Sequence, residues 1–221
     1  MNTGIQNVLE DRHILVNEGV LYKVCKRTID IIGSFLGIIV LSPIFLIVAI
    51  AIKMEDPKGK IIFGHKRVGK DGKLFPCLKF RSMFANAEEM KKNFTSAQRK
   101  EYAETFKLKD DPRITKVGKF IRKTSLDELP QLFNILKGDM TIVGPRPIVT
   151  DELKYYGEYD KYYMAVKPGL TGLWQVSGRS DTSYDERVEL DMEYIKTRNT
   201  TKDIYIMIMT VVKVLKREGS Y

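Results

Sequence analysis

The longest apolar stretch of the chain is Ile31–Ile52, IIGSFLGIIVLSPIFLIVAIAI, which carries no charge between Asp30 and Lys53. At a rise of 1.5 Å per residue its 22 residues would form a helix about 33 Å long, close to the hydrocarbon thickness of a bilayer. Hydropathy alone gives a spanning helix, but two details point elsewhere. Ser42-Pro43 sits at the middle, where proline removes a backbone donor and crowds the preceding turn. Cations also crowd both flanks, with Lys23, Lys26 and Arg27 before the run and Lys53, Lys58, Lys60, Lys66 and Arg67 after it. Spanning segments concentrate such charges on one side. A helix that enters, bends at Ser42-Pro43 and returns to the same face satisfies both observations, with the Ser42 hydroxyl a candidate partner for a freed carbonyl. The run starts too late and is too long for a cleaved signal peptide.

Beyond it the apolar runs are short. Ile61–Phe63 and Leu74–Phe80 read as extended pieces around a Gly69-Lys-Asp-Gly72 turn. Residues 84–107 are rich in Ala, Glu, Lys, Met and Gln and predict helix, with Met83, Phe84, Ala87, Met90 and Phe94 on a stripe that is either core or a face on lipid. Val117–Ile121 leads to Ser125, read as a helix cap, with Glu128 completing a capping box. Ser183–Arg198 and Asp203–Arg217 predict amphipathic helices, the second either closing the core or lying in a headgroup layer. The pattern gives an α+β, mostly helical chain: an arm over 1–22, a re-entrant membrane helix over 23–56, and one compact domain over 57–221.

A length of 221 residues allows one proper core. The net charge of +9 favours a polyanionic partner: nucleic acid, an anionic membrane surface or a phosphorylated substrate. Lys, Arg and aromatics do interleave over residues 53–81, but no nucleic-acid-binding motif accompanies them, and a nucleic-acid partner is not expected. Cys25 and Cys77 have no metal spacing and read as free thiols. With only His13 and His65, neither a histidine metal site nor a Ser-His-Asp triad is expected. Gly64-His-Lys-Arg-Val-Gly69-Lys70 imitates a phosphate-binding loop but has Asp71 where Ser or Thr should follow.

Candidate chemistry lies in Arg122-Lys-Thr-Ser-Leu-Asp127-Glu128-Leu-Pro130 and in Gly144-Pro145-Arg146-Pro147. Adjacent carboxylates among arginines suit a nucleophile or metal ligand facing a phosphate, because the cations keep the acids ionised and neutralise the substrate. Two carboxylates meeting a diphosphate would repel it unless a divalent cation intervened, so Mg²⁺ is expected.

These motifs, in order with Lys26-Arg27…Asp30, Ser42-Pro43, Arg67-Val-Gly69, Lys79-Phe80-Arg81-Ser82-Met83, Asp111-Pro-Arg-Ile-Thr115, Gly138-Asp139-Met140, Pro168-Gly169…Thr171-Gly172 and Gln175-Val-Ser-Gly-Arg179, resemble the bacterial sugar transferases. Those are monotopic phosphoglycosyl transferases acting on polyprenyl phosphate, and the resemblance runs from about Lys23 to the last residue. It implies a cytoplasmic catalytic domain, a re-entrant helix bent at Ser42 and Pro43, interfacial amphipathic helices, and residence on the cytoplasmic face of the bacterial inner membrane. It implies transfer of a sugar 1-phosphate from a UDP-sugar to undecaprenyl phosphate with release of UMP, early in capsule, exopolysaccharide or O-antigen assembly. Asp127 would be the nucleophile forming a phosphosugar-enzyme, and Glu128 would hold metal with it or assist proton movement. Arg122 and Arg146 would grip phosphate, with Pro145 and Pro147 stiffening the second arginine's loop. Lys79, Arg81 and Arg179 are further phosphate candidates. The segment around Trp174 and the Gly-Ser-Tyr terminus resemble the hexose branch, galactose or glucose. An N-acetyl-sugar donor and a non-catalytic membrane scaffold remain as alternatives, and homo-oligomer formation is left open.

Overall fold

The computed structural model describes residues 19–105, 108–177 and 183–216. Its first element, α1 (Val20–Glu55), is a helix of 36 residues that begins inside the segment read as an arm. Helical backbone continues through Pro43, where the sequence predicted a bend. Pro43 cannot donate to the carbonyl four residues back, that of Ile39, and the Ser42 hydroxyl donates to that oxygen at 2.7 Å. The carbonyl orphaned by proline is thus satisfied within the helix.

Helix α1 docks on the rest of the chain at both ends and in the middle. Near its start Lys26 Nζ donates to the Val143 carbonyl and to Asp203, both at 2.8 Å. Arg27 donates to the carbonyls of Ile135 and Leu136 at 2.7 and 2.8 Å. Buried Asp30 accepts from the Thr141 hydroxyl at 2.9 Å and the Ile142 amide at 2.8 Å. At mid-helix the contact is close: a Cβ on Gly33 would lie 2.9 Å from Ile142 Cδ1. At the far end Val48 and Ile52 pack with Phe80 and Ile121. Glu55 accepts from the amides of Lys116 and Val117 at 2.7 and 2.9 Å, and so caps the start of α4 (Lys116–Lys123).

The hairpin predicted around Gly69–Gly72 is present. Strands β1 (Ile62–Val68) and β2 (Leu74–Phe80) pair antiparallel from Ile62↔Phe80 to Val68↔Leu74. Asp71 and Gly72 take positive φ in the turn, at 57° and 71°. The sequence imitating a phosphate loop therefore lies along a strand and its turn. The single helix predicted over 84–107 is divided into α2 (Ala87–Met90) and α3 (Ser96–Thr105). Phe94 is extended and buried between them, and Thr95 restarts the helix by exchanging hydrogen bonds with Gln98 at 3.0 and 3.2 Å.

After α4 come α5 (Gln131–Lys137), β3 (Thr141–Val143), two 3₁₀ segments over Thr150–Tyr155 and Gly157–Tyr159, α6 (Asp160–Ala165) and β4 (Gly169–Thr171). β4 runs parallel to β3, with Thr141↔Gly169 and Val143↔Thr171 in register. The chain continues through α7 (Leu173–Ser177), α8 (Tyr184–Thr197) and α9 (Thr200–Lys216), the last two close to their predicted bounds. The largest core cluster gathers Val143, Ile148, Tyr163, Met192, Ile195 and Ile206 under the loop that follows β3.

Candidate active site

The acidic pair sits on a single 3₁₀ turn, Leu126–Glu128, rather than in the first turn of an α-helix. Ser125 takes a left-handed conformation, φ 56°, and makes no capping bond. The capping-box expectation fails because Glu128 is drawn to a stronger partner. Lys79 Nζ, from β2, stands 2.7 Å from Glu128 Oε1 and 3.8 Å from Asp127 Oδ2. Asp127 is 9% exposed, and its burial, together with the neighbouring Glu128, raises its pKa against the pull of Lys79 and Arg122. Burial also pushes Glu128 upward, but Lys79 and Arg146 outweigh it and leave this carboxyl below its ordinary range. The two acids are thus driven apart, a pattern that separates roles within a carboxylate pair.

The hairpin register places Phe63 opposite Lys79, His65 opposite Cys77 and Arg67 opposite Phe75, all on one face. Arg67 shares this face with Lys79, a placement that its motif in the sequence does not reveal. Cys77 lies within the field of Lys79, Glu128 and Arg67, but burial pushes its thiol up to about 11, so it offers no competing thiolate.

Arg146 is carried by a loop whose path is set by glycines in backbone contact. A Cβ on Gly169 would fall 2.2 Å from the Gly144 amide nitrogen, and one on Gly172 2.3 Å from the Gly144 carbonyl oxygen. Pro145 and Pro147 are buried on either side of Arg146. The Tyr163 hydroxyl donates to the Arg146 carbonyl at 3.0 Å and accepts from the Ile148 amide at 3.2 Å. Buried Asp191 accepts from Tyr156 at 2.7 Å; burial pushes its carboxyl up to about 8, against Tyr156 and the charge and amide of Arg146.

The side chain of Arg146 lies 5.6 Å from the Trp174 ring centroid and has no ion-pair partner among the described residues. Arg122 likewise forms no ion pair among them; its Nε donates to Ser82 Oγ at 2.8 Å, within the field of Asp127. Both guanidiniums therefore keep donors for an anion. Arg81 differs from its expectation as a phosphate ligand, because its guanidinium is engaged by the Asp56 carboxylate and carbonyl at the end of α1. Arg179 lies outside the described residues.

Among the described residues no group of three or more His, Cys, Asp and Glu could hold a metal. Asp127 and Glu128 offer only oxygen donors, and Mg²⁺ sites of this kind are commonly completed by substrate phosphates and water. The carboxylate pair fits such a cation.

The sequence profile described as bacterial sugar transferase matches residues 21–217. The chain belongs to the bacterial sugar transferase family. Among its relatives in that family, the undecaprenyl-phosphate galactose phosphotransferase of Salmonella typhimurium is 54% identical over 199 residues, covering 89% of this chain and 41% of its own. The exopolysaccharide production protein ExoY of Sinorhizobium fredii is 46% identical over 201 residues, covering 90% of this chain and 88% of its own. The UDP-glucose:undecaprenyl-phosphate glucose-1-phosphate transferase of Escherichia coli is 40% identical over 207 residues, covering 90% of this chain and 42% of its own. The chain thus spans about two-fifths of the Salmonella and Escherichia proteins and most of ExoY.

Proposed function

We propose that this chain transfers a hexose 1-phosphate from a UDP-hexose to undecaprenyl phosphate, releasing UMP, on the cytoplasmic face of the bacterial inner membrane. The observation that carries the reading is the Asp127–Glu128–Lys79 cluster beside two arginines that have no acidic partner among the described residues. The names of the relatives support both the lipid acceptor and a hexose donor, and they include galactose and glucose.

Asp127 is the nucleophile. Its oxygen bonds to the sugar-bearing phosphorus, the bridging P–O bond breaks, and that electron pair leaves on UMP. An oxygen of the lipid phosphate then attacks the same phosphorus, and the bond to Asp127 breaks to restore the carboxylate. Burial and the neighbouring Glu128 raise the basicity of Asp127, which favours attack once it is ionised. Lys79 holds Glu128 as an anion, and Arg122 and Arg146 neutralise phosphate. Asp127 and Glu128 would hold Mg²⁺, which supplies charge neutralisation for the diphosphate when bound.

The membrane reading rests on the docking of α1. Lys26, Arg27 and Asp30 near one end, and Glu55 and Asp56 at or beside the other, all bind the same body. A helix held so at both ends enters a bilayer from one side without leaving its domain on the other. Its outward residues include Leu36, Ile39, Val40, Leu46 and Ile47, all more than half exposed. Exposed Ile204, Tyr205, Ile208, Val211 and Val214 give α9 an apolar flank of the same kind, suited to the headgroup boundary.

The test incubates the detergent-extracted chain with Mg²⁺, undecaprenyl phosphate and either UDP-galactose or UDP-glucose. UMP release is expected from one donor, and is lost in Asp127→Asn and with chelator. Peptide mass analysis without acceptor should find one hexose phosphate on Asp127. Release from N-acetyl donors alone would overturn the hexose assignment, and release from none would favour the scaffold reading.

A further inference from the structure

The proposed reaction leaves Arg67 unused, yet the fold spends several interactions on it. Arg67 shares the hairpin face of Lys79, and the next residue ties the strand to the Arg146 loop, because the Val68 amide donates to the Ile148 carbonyl at 2.9 Å. Glu152 strengthens this tie. Its Oε2 accepts from the Val149 amide at 2.8 Å and from Arg67 Nη1 at 3.3 Å. Tyr163 adds a third link, since its hydroxyl lies 3.3 Å from the Val68 carbonyl and 3.0 Å from that of Arg146. The backbone segments carrying Arg67 and Arg146 are therefore tied to each other by hydrogen bonds.

An ordinary ion pair with Glu152 accounts poorly for this arrangement. The carboxylate accepts its shorter bond from the loop amide, and the guanidinium donates the longer one. The second contact of Arg67, from Nη2, is with His65 Nδ1 at 3.2 Å, which brings no negative charge. Among the described residues two of its five N–H donors are thus occupied, on a side chain only 17% exposed. Arg67 and Arg146 also lie in each other's field, and both act on Glu128. Two guanidiniums within each other's field, one of them largely withdrawn from water, are stabilised by an added anion.

We propose that Arg67 is a leaving-group clamp that, with Arg146, grips the phosphate departing with the nucleotide, while Lys79 serves the phosphate attacked at Asp127. The inference rests on the proposed transfer and goes beyond it by dividing the cations between the two phosphates of the donor. As the bridging P–O bond breaks, its electron pair settles on the nucleotide phosphate. Arg67 meets that added negative charge with donors that no protein group takes up among the described residues. Glu152 acts through Arg67, as a positioning residue.

The test compares UMP with uridine as inhibitors of the full chain, in wild type, Arg67→Lys and Arg67→Ala. The two probes differ only in the phosphate that the clamp would hold. Wild type should bind UMP far more tightly than uridine. Arg67→Ala should weaken UMP by about 10- to 100-fold, the loss expected for a charge-assisted contact, and leave uridine unchanged. Arg67→Lys should recover part of the difference. Where a variant turns over too slowly to be inhibited, calorimetric titration of UMP and uridine into folded protein reads the same ratio. An unchanged ratio in Arg67→Ala, or equal weakening of both probes, overturns the clamp. Failure of wild type to release UMP from any donor instead overturns the transfer reading on which the clamp rests.

Discussion

Replacing Arg27 by Met keeps most of the aliphatic stem and removes the guanidinium that joins α1 to the last turn of α5. The two carbonyls it serves are not equivalent. That of Ile135 also accepts from the Gly138 amide at 3.0 Å, whereas that of Leu136 lies beyond the last helical hydrogen bond. A charge-assisted hydrogen bond contributes about 1.5–3 kcal/mol, and a cation at a helix C-terminus about 0.3–1 kcal/mol. Half-burial of Arg27 lets water replace part of this, and the Gly138 amide covers part of the Ile135 loss. The net cost is then about 2–3 kcal/mol, a fall in Tm of roughly 4–12 °C for a chain of this size. Thermal unfolding in micelles measures the fall, and hydrogen exchange along α5 locates it. Because α5 begins three residues after Glu128, UMP release should fall as well. A Tm within about 1 °C of wild type, with α5 protection intact, would refute the docking role of Arg27.

Three further outcomes follow from individual sites. Asp191 ionises near 8 when folded and in the ordinary carboxylate range when unfolded, so the folded chain binds the extra proton between them. Stability should fall as pH rises through that window, by up to about 1.4 kcal/mol per unit, and Asp191→Asn should flatten the decline in denaturant titrations. As the proposed nucleophile, Asp127 would attack in its ionised form, and its pKa is raised, so UMP release should climb with pH through a limb above the ordinary carboxylate range; a limb at or below that range would contradict the buried nucleophile. In α1, Ser42→Ala should cost about 1 kcal/mol by stranding the Ile39 carbonyl, whereas Pro43→Ala restores the missing amide. The double variant should therefore match Pro43→Ala in Tm, and additivity of the two changes would count against the Ser42 bond.

The hairpin, α8, α9 and the apolar helix were legible in the sequence because each is set by local periodicity and turn residues. The division at Phe94 had a local signal too, Thr95 with Gln98 three residues on. Other features depend on partners distant in the chain. The Ser125–Glu128 spacing reads as a capping box until Lys79, 49 residues earlier, takes the glutamate. Lys26, Arg27 and Asp30 stood out as a motif, but their task of fastening α1 to β3 and α5 exists only once those elements are assembled. β3 and β4, three residues each, are too short for periodicity to reveal. Arg67 was hidden for a similar reason: its meaning comes from the hairpin register and from Glu152, 85 residues away.

The attachment of α1 at Lys26–Asp30, at Gly33 and at Glu55–Asp56 fastens the helix to the body that carries the site. In the proposed setting, the depth at which the apolar flank settles fixes the elevation of Asp127 over the lipid surface. The acceptor phosphate also rides at a set level in the headgroup layer. Their meeting then resembles two parts cut to one gauge, and only lateral diffusion is left to bring them together. On the proposed one-sided insertion the helix would stop short of the opposite leaflet, so it would have no hydrophobic length to match, and UMP release should be alike in thin and thick bilayers.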